Sequence, residues 1–452
     1  MKFQALFEIL KNRMAGANFL PVFLLTLLVL VIVTILLVRY GSGFFLGLAF
    51  ILTGLLLINS EAVAGLVLIA RFPLVIILVL YAILSRKNGV YFSKTMVIFG
   101  ALPVVMFLNS VQAPNPMDAL GQSILFLLLY IGLIFGGERI LGDPRGRLVF
   151  INTMTAFTII ISCLQIPFLA SSQGRLAGIF QSTVGYMIVG TTGVIILIWF
   201  VLKQKVWSFS FIFFGLFALL SFVLLLLTGG RTSMLGTLLG ILVLLVRKLK
   251  RNLIIFLACF IILGPIGLEL VVSFPGFENV KAKLFSTKDT RSHVWRYAWE
   301  EIQVKPWFGW GTGAAAIKSA SQLGYTYHST YLEFAVDHGI PFAVFMMLIF
   351  LWLPIRGLIL MRKCQTEEMK DMANLSSAIL TSYALASFFG GVLNATTFIL
   401  PIYSVIALQE GIRAENLEIE LYGSDQYYDE NDPYYQASQE IQTGEYPGGE
   451  QA

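Results

Sequence analysis

The chain has 452 residues, of which 57% are hydrophobic and only 13% charged, and a formal net charge of +5. A soluble domain is about half apolar and about a quarter charged, so this composition excludes an ordinary soluble enzyme. The apolar residues come in unbroken runs rather than the alternation of a membrane barrel, which predicts an all-α polytopic membrane protein.

Residues 19–38 carry no charge, and at about 1.5 Å per residue they cross a hydrocarbon core of about 30 Å. They follow Lys2, Lys11 and Arg13 and lack a small-residue cleavage site behind them, so they read as a retained anchor. Stretches 44–59 and 62–84 come next, the second interrupted by Arg71 and read as two short helices. Further spans are expected at 95–109, 120–137, 148–170, 184–202, 207–228, 233–246 and 253–272. After a long connection the last three are 340–359, 375–391 and 396–407, about twelve in all.

The connections alternate in charge. Arg86 and Lys87, Arg139 and Arg145, Lys203 and Lys205, Arg247 and Lys248, and Arg362 and Lys363 fall on one side, which the positive-inside rule makes cytoplasmic. The large loop, 274–339, is then extracytoplasmic and the C-terminus cytoplasmic. This places the loop on the outer side of the membrane. The basic residues set topology and mark no nucleic-acid surface. Residues 1–411 form the transmembrane domain. From Gly411 onward there is one base, Arg413, against ten acids, and six tyrosines lie between Tyr422 and Tyr446. Residues 412–452 are expected to be a disordered acidic tail, either inert or a docking segment for a tyrosine kinase or chain-length regulator.

Two short outer connections carry an arginine each, Arg175 and Arg231, against the topogenic bias. Each could snorkel to lipid headgroups, but their recurrence favours an anion site. Arg231 follows Gly229-Gly230 and opens a span, a place where helix-start amides suit a phosphate.

The large loop is the richest part. Thr290 is placed to cap a helix in which Arg291, Trp295 and Trp299 recur every four residues, the pattern of a helix lying along the headgroup layer. Pro306, Gly309, Gly311 and Gly313 then make a turn that would let backbone approach a ligand closely. All three histidines of the chain, His293, His328 and His338, lie in this loop, at spacings that match no zinc pattern. A single histidine acting as general base fits better. The cysteines, Cys163, Cys259 and Cys364, form no framework. No metal and no cofactor is expected.

Arg291 four residues before Trp295, the Pro306-x-x-Gly309-x-Gly311-x-Gly313 turn, and His328-x-x-x-Leu332 running to Gly339 together resemble the O-antigen ligase and O-antigen polymerase family of bacterial membrane glycosyltransferases. Arg231 and the stretch Arg175-Leu176-Ala177-Gly178-Ile179-Phe180 are similar to two further family segments. Ser329 stands where the family usually has asparagine. The resemblance implies about twelve helices and a metal-independent transfer of glycan from polyprenyl pyrophosphate to a glycan acceptor. Arg175, Arg231 and Arg291 would hold the pyrophosphate, and His328 would deprotonate the acceptor. Trp295, Trp299 and Trp310 would contact sugar or the membrane interface. Polymerisation of repeat units is the leading expectation. Ligation of polymer to lipid A-core, or transport of the lipid-linked glycan, are the alternatives.

Overall fold

The computed structural model describes residues 43–56, 73–79, 82, 93–168, 176, 179–180, 183–228, 230–249, 291–324, 326–389 and 396–422. These residues form helices and the turns between them. The first is α1 (Gly43–Leu56), followed by α2 (Lys94–Asn109), α3 (Pro116–Leu141), α4 (Pro144–Gln165), α5 (Thr183–Lys203), α6 (Phe209–Leu227) and α7 (Arg231–Leu249). Three short helices come next, α8 (Ser292–Val304), α9 (Ala314–Leu323) and α10 (Thr330–His338). The chain then returns to long ones, α11 (Ile340–Lys363), α12 (Glu367–Phe389) and α13 (Thr396–Tyr422).

Among the described residues, seven helices are long and apolar enough to cross a membrane, namely α2 to α6, α11 and α12. The expected spans at 19–38 and 253–272, the first half-helix of 62–84 and Arg175 lie outside the described residues, so the count of twelve extends beyond them. The elements begin where local chemistry tells them to. Ser93 and Ser208 cap α2 and α6 by accepting the amides of Met96 and Phe211. Pro116 and Pro144 stand in the first turns of α3 and α4, where a missing N–H costs nothing. Helix α3 widens into a π stretch over Tyr130–Gly136 before resuming as α-helix.

Lipid offers apolar side chains no reason to leave it, so packing in such a bundle relies on small residues and polar links. The α7–α12 crossing shows this. A Cβ on Gly236 would stand 3.0 Å from the Ser382 carbonyl, and one on Gly240 2.8 Å from that of Ala378. Beside this seam the hydroxyls of Thr192 and Tyr383 are 2.5 Å apart, and Ser162, Tyr186 and Ser221 form a second buried cluster. Leu216 and Leu219 on α6 instead face outward, toward lipid.

At one end of the bundle lie the basic residues. Arg247 of α7 pairs with both Glu367 and Asp371 of α12, which makes those charges part of the helix. Helix α12 therefore begins eight residues before its expected start at 375. Helix α13 runs on to Tyr422, with Ile412, Glu415 and Asn416 buried. Its charges are absorbed by neighbours. Glu415 meets Arg147 of α4 at 2.5 Å, and Glu410 meets Arg356 of α11 at 2.8 Å and Arg413 at 2.9 Å. The rest of the acidic tail lies outside the described residues.

Candidate active site

The opposite end of the bundle gathers the residues singled out in the sequence. Helix α8 packs on α10 through Val294, Ala298 and Ile302, which are fully buried at four-residue spacing. Arg291 stands at its N-cap position, and its carbonyl accepts the Trp295 amide at 2.9 Å. Thr290, the expected cap, lies outside the described residues. The helix direction places Arg291 and Trp295 against the end of α12, where the guanidinium lies 5.8 Å from the centre of the Phe389 ring. The Trp295 ring stacks on that same ring at 6.0 Å. Trp299, one turn further along the same face of α8, is half exposed.

His328 precedes α10 with a left-handed backbone, φ +53°, a conformation that a non-glycine residue adopts at some cost. Thr326 Oγ1 lies 3.4 Å from its Nδ1. Burial, and then the neighbouring Arg291 charge, hold the imidazole pKa below its ordinary value, so the ring is neutral and able to accept a proton near pH 7. Arg291 and His328, far apart in sequence, thus feel one another electrostatically.

Arg231 opens α7 and is exposed. Since Gly236 abuts Ser382 and the two helices run antiparallel, Arg231 comes level with the last turn of α12, the turn that carries Phe388 and Phe389. Arg175 lies outside the described residues. Its neighbour Leu176 donates its amide to the Leu227 carbonyl at 3.0 Å, which fastens that segment to the end of α6, just before the turn into Arg231.

Gly309, Gly311 and Gly313 all have positive φ, between +68° and +99°, and at the first two the missing side chains admit the chain itself. A Cβ on Gly309 would fall 2.4 Å from the Asp337 carbonyl carbon, and one on Gly311 2.5 Å from the Ala113 Cα. In the space so freed, Trp310 and Gly311 donate their amides to the carbonyls of Val336 and Asp337, and Ile340 donates to Pro306. The turn is a backbone clasp that holds α10 to α11.

Two residues of that clasp were not legible beforehand. The Asp337 carboxylate accepts the amides of Ala315 at 2.6 Å and Gly313 at 3.2 Å at the start of α9. Its burial nevertheless pushes its pKa up to about 7. Asn109 Nδ2 donates to His338 Nδ1 at 3.0 Å, and burial lowers that imidazole to about 3, so His338 is a neutral structural residue. Trp310 is also structural in its setting. Its indole N–H donates to the Glu301 carbonyl, and Lys318 and Lys305 lie 3.6 and 4.3 Å from its ring centre. His293 is exposed on α8. Among the described residues no three His, Cys, Asp or Glu side chains are grouped as metal ligands.

A bundle with seven apolar helices long enough to cross a membrane, among the described residues, defines a multi-pass membrane protein. Residues 216–347 match the family model described as O-antigen ligase. That stretch contains Arg231, Arg291, the glycine turn and His328, so the family resemblance read from those motifs is borne out there. Arg175 lies beyond the matched residues. No curated protein matches the chain.

Proposed function

We propose that this protein is a membrane glycosyltransferase that moves glycan from polyprenyl pyrophosphate to a glycan acceptor at the outer face of the cytoplasmic membrane, polymerising repeat units. The observation that carries the reading is the neutral imidazole of His328 beside the permanent cation of Arg291. An acceptor hydroxyl needs a base that is unprotonated near neutral pH, and His328 supplies one. The departing lipid pyrophosphate develops negative charge, which Arg291, Arg231 and Arg175 stabilise more strongly as the bond to the sugar breaks. The acceptor oxygen attacks the anomeric carbon, its proton passes to His328, and the pyrophosphate leaves with the bonding pair. No protein group forms a covalent bond in this scheme.

The family match, described as O-antigen ligase, is equally consistent with attachment of finished polymer to lipid A-core. One deletion experiment separates the readings. In cells lacking the chain, accumulation of single repeat units on the carrier lipid supports polymerisation, and accumulation of long chains means ligation. Purified protein in vesicles, given lipid-linked glycan and acceptor, must form product. Movement of the glycolipid across the bilayer without transfer would make the protein a transporter.

A further inference from the structure

We propose that Tyr331 and Trp295, with the rings of Phe388 and Phe389, form a platform that binds the sugar ring joined to the pyrophosphate of the donor. This rests on the glycosyl-transfer reading of the site and adds a subsite to it.

The four rings form a continuous series at the end of α12. Tyr331 lies 4.7 Å from Phe388, Phe388 lies 6.5 Å from Phe389, and Phe389 stacks with Trp295 at 6.0 Å. Arg291, the candidate phosphate ligand, lies over Phe389 in the same series. Tyr331 sits three residues after His328, in the first turn of α10. Phosphate ligand, base and ring series thus share one locality.

Tyr331 is only 8% exposed, yet its hydroxyl has no hydrogen-bond partner, and neither has the buried indole N–H of Trp295. Buried donors are almost always satisfied, and phenylalanine would fill the same volume at position 331 without the penalty. Two idle donors set among aromatic faces match one ligand chemistry closely. A pyranose ring offers C–H faces to aromatic rings and oxygens to O–H and N–H donors. A bare phosphate has no use for the rings, and a polyprenyl chain has none for the donors.

The test uses the full chain in lipid nanodiscs and the variant Tyr331→Phe, which removes only the hydroxyl. Two probes are titrated by equilibrium binding: the glycolipid that accumulates in cells lacking the chain, and polyprenyl pyrophosphate stripped of its glycan. The wild-type protein should bind the glycolipid more tightly. Tyr331→Phe should weaken glycolipid binding about three- to tenfold, the effect of one neutral hydrogen bond, and leave the bare lipid unchanged. Its melting temperature without ligand should match or exceed that of the wild type, since an unpaired polar group has been removed. Unchanged glycolipid binding by Tyr331→Phe overturns the platform. A lowered melting temperature also does so, by showing that the hydroxyl has an internal partner. Equal binding of both probes by the wild type overturns the platform and leaves the pyrophosphate site standing, whereas binding of neither removes the glycosyl-transfer reading itself. Free glycan released from the glycolipid, if it alone is weakened by Tyr331→Phe, moves the platform to the acceptor and overturns its placement on the donor.

Discussion

The guanidinium of Arg291 rests 5.8 Å from the ring of Phe389, so a residue at the start of a short surface helix is held by the last residue of a membrane-crossing one. Any shift at the end of α12 therefore moves the charge that tunes His328. Catalysis should respond to both residues, though in different ways.

Replacing His328 with alanine should lower the turnover of lipid-linked glycan by about 10²–10⁴-fold, the usual contribution of a positioned general base. In the wild type, the acid limb of the pH profile of kcat/KM should lie below 6.5, because burial and Arg291 both hold the imidazole neutral. Arg291→Gln should move that limb upward toward 6.5 as well as weaken donor binding. A limb that stays in place in Arg291→Gln would separate the two residues.

Asp337 should make the fold weaker as pH rises. Its folded pKa of about 7 lies above the ordinary 3.8, so the folded protein binds the proton more tightly than the unfolded chain does. This contribution is fully present below pH 4 and is lost as pH rises to about 7. Asp337→Asn carries no charge but keeps an oxygen for only one of the two amides, because Ala315 bonds one carboxylate oxygen and Gly313 the other. Thermal unfolding should therefore show a flatter dependence of stability on pH between pH 4 and pH 7 for this variant than for the wild type.

His338 acts in the opposite sense. Its pKa, lowered to about 3 by burial, means that the unfolded chain binds the proton more readily, so stability is complete above pH 6.5 and declines as pH falls toward 3. Asn109→Ala, which removes the donor at 3.0 Å, should lower the melting temperature at every pH by an amount equivalent to about 1 kcal/mol.

The clasp can be tested by two glycines that share a left-handed backbone. At Gly339 (φ +88°) a Cβ would stand 2.1 Å from the Trp307 carbonyl oxygen, while at Gly324 (φ +74°) nothing lies within 4 Å. Gly324→Ala should cost about 1 kcal/mol, and Gly339→Ala several times more, with loss of folded protein on size-exclusion chromatography.

Truncation addresses the end of the domain. Removal of residues 423–452 should leave the melting temperature unchanged. Removal from 412 onward takes Glu415 away from the buried Arg147 and should destabilise the protein by about 3–5 kcal/mol.

The membrane helices were legible because long apolar runs leave few alternatives, and their expected limits mostly fall within a few residues of the observed ones. The errors arose at charges. Glu367, Glu410 and Glu415 look like solvent-facing residues until Arg247, Arg356 and Arg147 are brought to them from distant helices. The same reason limits the site. Arg291 and His328 stand in a recognisable pattern, whereas nothing near Asp337 announces that it will meet the start of α9. Phe389 reads as one more apolar residue at the end of a run, and its ring contacts with Arg291 and Trp295 exist only after folding. The glycines were correctly marked as places of close approach, but sequence could not say what approaches.

The clasp has a consequence for how readily the protein could be retargeted. Because Gly309, Gly311, Trp310 and Ile340 fasten this region through main-chain atoms, the join does not depend on which side chains its exposed surface displays. Trp299, Trp307 and Phe308, all exposed, can be randomised in a library without undoing the attachment, so whatever that surface contacts can be varied while the frame beneath it stays fixed.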